Sequence, residues 1–405
     1  MRIVQKFGGT SVGSLERIRA TAKIIQGELN NGVEVAVVVS AMSGETNRLL
    51  AMAQEMSSAP SPRELDALVA TGEQVTAALL AIELNELGIS AYSFSGGQAG
   101  FTTEGNHAKA RIKDVKSEHL IQHMIKGEVP VVTGFQGVDE AGNITTLGRG
   151  GSDTSAVALA VAVQADCCDI YTDVDGIYTT DPRIEPKAAK MDSISYEEML
   201  EFASLGAKVL QTRSVELAMR YDMPIHLRSS FNLIQGTRVS KEDSNMERAE
   251  ISGVAYNRDE AKVTIKGIPD QPGIAASVFG PVAEADINVD VIVQNVSEDG
   301  FTDLTFTVPR HDFAATMTLL DSLCVSMHAK EVRGDNTVAK VSIIGVGMRS
   351  HTGVAKKMFD VLAQENINIQ MITTSEVKVT VVLEEKYVEL AVRSLHQAFG
   401  LAQEG

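Results

Sequence analysis

Two short glycine-rich segments hold the residues best suited to chemistry. In the first, Lys6-Phe7-Gly8-Gly9-Thr10-Ser11, a strand-like run meets two glycines and then a helical pattern. Backbone N–H groups there can approach phosphate oxygens at the positive end of a helix dipole, with the lysine as a point charge beside them. A lone Gly-Gly after a strand is more often only a tight turn. The second segment, Gly148-Arg149-Gly150-Gly151-Ser152-Asp153-Thr154, adds a guanidinium and a carboxylate to flexible backbone just before another helical pattern. Such a combination is costly as mere scaffold, because glycine loses more conformational freedom on folding than any other residue. An arginine so flanked suits a bidentate grip on an anion. The sequence contains neither a Gly-x-x-x-x-Gly-Lys loop nor a protein-kinase catalytic loop, so neither common phosphoryl-transfer framework fits.

The elements that must position these segments follow from periodicity. Ile3 to Phe7 reads as a strand, and Leu15, Ile18, Ala22, Ile25 and Leu29 then recur at spacings of 3 and 4, one apolar helix face with Ser14 as N-cap and Asn31-Gly32 as its end. The valine-rich run 33–39 is the pattern of a strand buried on both faces. Further on, the pattern predicts a helix over 74–87 ended by Gly88, a strand at 131–133, a hairpin at Gly142-Asn143 and a helix over 154–164. This is an α/β domain with helices on both faces of a mostly parallel sheet, expected over 1–231, with a polar linker over 232–250. Asp153 would then also serve as N-cap of the helix beginning at Thr154.

Beyond the linker the chain repeats itself. Gly273-Ile274-Ala275, Phe279, Ala283 and Ile287-Asn288-Val289 match Gly353-Val354-Ala355, Phe359, Ala363 and Ile367-Asn368-Ile369, at the constant offset that separates Gly273 from Gly353. Each copy is long enough for a small α+β sandwich, so a duplicated domain is expected rather than a solenoid. The second copy departs from the first in its loop, where Ser350-His351-Thr352-Gly353 lacks the aspartate and proline of Asp270-Gln271-Pro272-Gly273.

Composition bounds the partners. The chain has 405 residues, 44% of them hydrophobic, enough for two or three packed domains, and 36 basic against 53 acidic residues give a net charge of −17. That charge opposes binding to nucleic acid or to an anionic membrane, so anionic ligands must be met by local cations. No apolar run approaches the ~20 residues of a membrane span, and Met1-Arg2-Ile3-Val4 leads straight into a strand. A cytoplasmic protein is expected. Cys167, Cys168 and Cys324 lack metal-ligand spacing and read as buried free thiols. Asp173, Asp175 and Asp181 lack calcium-loop spacing and read as turn residues.

The two glycine segments, the run Val39-Ser40-Ala41-Met42-Ser43-Gly44-Glu45-Thr46-Asn47, the segment Thr71-Gly72-Glu73-Gln74 and the stretch from Tyr171 to Arg183 together resemble aspartate kinases of the amino acid kinase superfamily, in the family's order and spacing. The C-terminal repeats resemble ACT domains, the first over about 263–337, the second over about 341–405 with a strand from 251–256, within a regulatory region of 251–405. The resemblance covers essentially the whole chain. It implies an amino acid kinase fold followed by two ACT domains, and transfer of the γ-phosphate of ATP, with Mg²⁺, to the side-chain carboxylate of L-aspartate, the first step toward lysine, threonine, methionine and isoleucine.

By that resemblance Lys6, Phe7, Gly8 and Gly9 hold phosphates, Asp153 orients Lys6 or binds magnesium, and Ser40 lies near the transferred group. Thr172, Asp173, Tyr178, Asp181, Arg183 and Lys208 belong to the nucleotide site. Thr46, Glu73, Arg149, Gly150, Gly151 and Ser152 surround aspartate. The aspartate side chain, with an ordinary pKa of ~3.9, is already an ionised nucleophile at neutral pH, so positioning and positive charge rather than a general base should carry the reaction. Glu73 also reads as a plain dipole-complementing residue of a helix start. The ACT resemblance implies an effector site for lysine and/or threonine at Asp270, Gly273, Ile274, Ala275, Asn288, Val289 and Gln294, completed by Asn368, Ile369 and Glu376. It also implies homo-oligomers through the ACT domains, and Met246, just before the regulatory half, is a candidate start for a separately translated regulatory chain.

Overall fold

The structure, a computed structural model, describes residues 1–206, 209–232, 234–242, 251–296, 300–346 and 353–402. Contacts divide the chain into two units, the first built from 1–178, 190–204 and 208–247, the second from 179–189, 205–207 and 248–405.

The first unit opens as β1 (Arg2–Phe7), α1 (Leu15–Asn30), β2 (Glu34–Val39), α2 (Glu45–Met56), α3 (Pro62–Val69) and α4 (Thr71–Glu86). It continues with β3 (Ala91–Phe94), β4 (Phe101–Glu104), β5 (Arg111–Val115), α5 (Glu118–Ile125), β6 (Val129–Thr133), β7 (Gln136–Val138), β8 (Ile144–Thr146) and α6 (Gly151–Ala162). After β9 (Cys167–Thr172) come β10 (Ser193–Ser195), α7 (Tyr196–Ser204), α8 (Thr212–Tyr221), β11 (Ile225–Ser229) and β12 (Thr237–Ser240). Eight strands form one sheet in the order β10-β12-β11-β9-β1-β2-β6-β3, parallel in every pairing but β11 with β12.

The βαβ opening forms as its periodicity dictates. The Ser14 hydroxyl caps α1 by accepting from Arg17 N, and Ile18, Ala22 and Ile25 are buried against Val35, Val37 and Val39 of β2. The hairpin at Gly142-Asn143 joins β7 to β8. These two strands belong to a second, four-stranded sheet, β5-β4-β7-β8, that periodicity does not reveal because its strands are only three to five residues long.

Four expectations shift. The helix expected over 154–164 is α6, which starts at Gly151 because Gly150, at φ 70, turns the chain directly into it; Asp153 therefore sits in its first turn and is not its cap. The helix expected over 74–87 begins at Thr71, since α3 runs on through Ala70. Together α3 and α4 make a 25-residue run apolar enough by length and hydropathy to cross a membrane, contrary to the sequence expectation. Its apolar side serves the core, with Ala77, Leu80, Ala81 and Leu84 buried against the sheet. All three cysteines are free, but only Cys168 is fully buried; Cys167 and Cys324 are half-buried.

The second unit contains β13 (Gly253–Pro269), α9 (Ile274–Glu284), β14 (Ile292–Val296), β15 (Phe301–Val308), α10 (Phe313–Leu323), β16 (Glu331–Ile344), α11 (Val354–Gln364), β17 (Met371–Thr374), β18 (Lys378–Glu384) and α12 (Val388–Ala398). Both repeats contribute to one antiparallel sheet, β14-β15-β13-β16-β18-β17. Strand β13 pairs with β15 through 261–269, and with the 340–344 end of β16 through 253–257. Repeat-related lysines cross between the copies: Lys340 pairs with Asp290 and, at 2.9 Å, with Glu260, while Lys262 donates to Gln370. Lys340 is 1% and Glu260 7% exposed, a buried ion pair in the middle of the sheet, while Asp290 reaches Lys340 from the surface.

Candidate active site

Strand β1 lies between β9 and β2, so the chain leaves it in both directions, and its carboxyl end is the kind of switch point where open α/β sheets bind ligands. The turn after it is fixed from both neighbours. Gly8 N donates to Tyr171 O at the end of β9 (3.1 Å), Ser40 N to Phe7 O (3.1 Å) and Ser43 N to Gly9 O (3.2 Å).

At this end of the sheet lies a cavity of about 470 Å³. Of the residues expected from sequence it is lined by Lys6, Ser40, Thr46, Glu73, Arg149, Gly150, Gly151, Ser152 and Asp153. Lys6 Nζ lies 2.6 Å from Asp153 Oδ1, each side chain only about a tenth exposed. This places a fixed positive group at the start of α6, whose N-terminal dipole also favours anions. Gly150 must be glycine: its φ is 70, and a Cβ there would meet the Gln211 side chain at 1.8 Å.

Glu73 is brought in by α4. Gly72 lets the helix approach the loop after β2, since a Cβ on it would fall 2.9 Å from Ala41 Cβ. Ala41 N consequently donates to Glu73 Oε1 at 3.1 Å. The second oxygen, Oε2, is buried with no partner. Burial pushes the Glu73 carboxyl up to about 7, against the lowering effect of the Ala41 N–H. Arg149 is exposed and its guanidinium has no hydrogen bond or ion pair among the described residues. The cavity thus offers a buried carboxylate oxygen without a donor and a guanidinium without an anion. Its remaining lining includes Asp66, Phe135 and Gln211, which sequence reasoning missed; no periodicity or motif distinguishes them.

Of the described residues expected at the nucleotide, Lys6 alone lines this cavity, while Thr172 follows the Tyr171 carbonyl that anchors Gly8. Thr172 donates its hydroxyl to Asp173, and Tyr178 to Asp175, each at 2.9 Å. Asp181 and Arg183 belong to the second unit, where they form an ion pair at 2.8 Å and Tyr256 donates to Asp181. Lys208 lies outside the described residues, as do Met246, Ser350, His351 and Thr352.

In the second unit, Gly273 at φ 92 caps α9, Asp270 is exposed, and the side chain of Ile274 packs into the core beneath the helix. Ala275, Asn288 and Gln294 are exposed and Val289 is half-buried; Asn368 is exposed and Ile369 half-buried in the corresponding positions of the second copy, with Glu376 exposed before β18.

A sheet switch point that joins a fixed lysine, a buried carboxylate and a guanidinium without an anion suits a small charged ligand. The Amino acid kinase family matches residues 1–229, and the ACT domain matches 263–325 and 341–399. The chain belongs to the amino acid kinase family and, within it, to the aspartate kinases. It is 56% identical over 400 residues to an aspartate kinase of Stutzerimonas stutzeri, covering 98% of this chain and 97% of that one. Two E. coli aspartokinase III structures share its fold. The complex with aspartate and ADP has a TM-score of 0.83 at 29% identity, and the complex with lysine and aspartate 0.79 at 30%; each comparison covers 98% of this chain and 99% of the other.

Proposed function

We propose that this enzyme transfers the γ-phosphate of ATP to the β-carboxylate of L-aspartate in the cavity of the first unit, under feedback control by lysine and/or threonine acting on the second. The observation that carries the reading is the buried Glu73, with one oxygen satisfied by Ala41 and the other lacking a donor, in the same cavity as the unpartnered Arg149. An α-amino acid supplies both missing partners, an ammonium for Glu73 and a carboxylate for Arg149. E. coli aspartokinase III, which binds aspartate and ADP, supports the choice of ligands. A carboxylate oxygen of aspartate then attacks the γ-phosphorus, the bond to the departing oxygen breaks, and ADP leaves with the electron pair. Lys6, Gly8 and Gly9 offset the phosphate charge, Ser40 and Thr46 flank the reacting groups, and Gly150, Gly151 and Ser152 shape the amino-acid end.

Among the described residues no three His, Cys, Asp or Glu side chains converge to hold an ion. Mg²⁺ would come with the nucleotide, held mainly by phosphate oxygens and water, with Asp153 as the cavity carboxylate beside Lys6. Its chemistry there would be neutralisation of phosphate charge. Thr172, Asp173, Tyr178 and Lys208 belong to the nucleotide site in this reading.

The second unit is read as two ACT domains, with 253–257 of β13 serving the second. An effector is assigned to the loop from Asp270 to Ala275 with Asn288, Val289 and Gln294, and to Asn368, Ile369 and Glu376. The lysine-bound E. coli relative supports lysine as the ligand class. Inhibition requires only that the effector favour an inactive state, about 1.4 kcal/mol of differential affinity for each tenfold shift. The edge strands β14 and β17 suit pairing between chains in a homo-oligomer.

The test is ATP-dependent formation of a hydroxylamine-trappable acyl phosphate from L-aspartate, with L-glutamate as control, each with and without lysine plus threonine. Trapping with aspartate alone, suppressed by the effectors, is the expected result. No trapping would refute the substrate reading, and trapping unaffected by saturating effectors would refute the regulatory one.

A further inference from the structure

We propose that Asp66 is a positioning residue for the amino-acid end of the cavity, holding the loop that carries Arg149 in register with Glu73. The inference rests on the reading of Arg149 and Glu73 as the groups that grip the amino acid.

Asp66 lies in α3 and is 1% exposed, a degree of burial that a carboxylate tolerates only when its oxygens are fully engaged. It is engaged by two distant segments. Ala108 N donates to both oxygens at 3.1 Å, Thr146 N donates at 3.1 Å and the Thr146 hydroxyl at 2.6 Å, and His107 Nδ1 lies 2.8 Å away.

Each of these contacts bears on the loop. Thr146 ends β8, two residues before Gly148 and three before Arg149. Ala108 takes a left-handed φ of 65 without being glycine, a conformation that persists only where its surroundings impose it, and Asp66 holds its N–H. The Ala108 carbonyl in turn lies 3.0 Å from where a Cβ on Gly148 would stand. From the other side, Arg213 of α8 donates to Leu147 O at 2.7 Å and to Ala110 O at 3.2 Å. The backbone entering Arg149 is therefore clamped between α3 and α8. The Arg149 side chain has no partner of its own among the described residues, so its aim is inherited from that clamp.

Asp66 and Glu73 are seven residues apart on the run formed by α3 and α4, joined through Ala70. One helical segment thus carries both the ammonium-binding carboxylate and the anchor of the arginine loop. It sets the distance between them, and with it whether the ammonium and the carboxylate of the amino acid are gripped at once.

The test is steady-state kinetics of Asp66→Asn, whose amide nitrogen must face N–H donors and so releases part of the clamp. KM for aspartate should rise at least tenfold while KM for ATP stays within twofold, and kcat should fall less than KM rises. Thr146→Val, which removes only the hydroxyl bond, should give the same pattern at about threefold and covers the case in which Asp66→Asn fails to fold. An aspartate KM within twofold of wild type in the folded variants, or equal increases in both KM values, would overturn the proposal. Wild-type enzyme that forms no aspartyl phosphate would overturn the substrate reading and this inference together; an active wild type with unshifted variants overturns this inference alone.

Discussion

Replacing Glu73 by glutamine separates the charge of this residue from its shape. In the empty enzyme burial raises its carboxyl from 4.5 to about 7, so the ionised form, the one that can hold an ammonium, is about 90% populated at pH 8 and about 10% at pH 6. KM for aspartate in the wild type should therefore rise about tenfold as the pH falls from 8 to 6. The substrate itself does not titrate in that interval, its side-chain carboxyl lying near 3.9. Phosphates do lose a proton near pH 6, so ATP is kept saturating, and the Glu73→Gln variant serves as control. Its KM should be about 10–100-fold higher, from the loss of one charge-assisted hydrogen bond of about 1.5–3 kcal/mol, and independent of pH. Stability should move the opposite way. A carboxyl with a raised folded-state pKa favours the fold while protonated, and this contribution is lost as pH rises from 4.5 through 7. At 1.36 kcal/mol per pKa unit the loss reaches about 3 kcal/mol. Unfolding of the ligand-free proteins in urea at pH 8 should show the glutamine variant more stable by about 2 kcal/mol, after about 1 kcal/mol for its unpaired amide. A flat pH profile of KM in the wild type, or a glutamine variant with wild-type KM, would refute the assignment of Glu73 to the ammonium.

Three further outcomes are expected. Lys6→Met should lower kcat by about 10²–10³ at saturating substrates with the circular dichroism spectrum unchanged, because it removes a fixed positive group at the reacting phosphate; a loss under tenfold would remove Lys6 from the reaction. Gly150→Ala should raise KM for aspartate more than tenfold, and Gln211→Ala in the same chain should restore part of it, since the added methyl collides with the Gln211 side chain; no restoration would mean that the left-handed backbone alone is responsible. Lys340→Met leaves Glu260 and Asp290 without their shared cation and should cost about 3–5 kcal/mol in urea unfolding, most of it recovered when Glu260→Gln is added; an additive double variant would show that the cluster is not coupled.

Short-range rules made much of this protein legible from its residues alone. The spacing of Leu15 to Leu29 and the hydroxyl of Ser14 determined α1 with its cap, the valine run determined a strand buried in a parallel sheet, and the constant offset between the C-terminal copies announced a duplicated unit. Residue types at the two glycine segments also pointed to anion handling, because lysine, arginine and backbone N–H groups next to helix starts have few other uses. What the tertiary structure decided is how partners distant in sequence meet. Asp66 finds its donors 41 to 80 residues away, Glu73 receives Ala41 N–H from 32 residues back, and the lysines of each C-terminal repeat reach into the other within one shared sheet. Periodicity and turn chemistry act over a few residues, whereas the protonation of Glu73 and the aim of Arg149 depend on burial and on hydrogen bonds that exist only once α3, α4, α6 and the ends of β1, β2 and β8 are packed together.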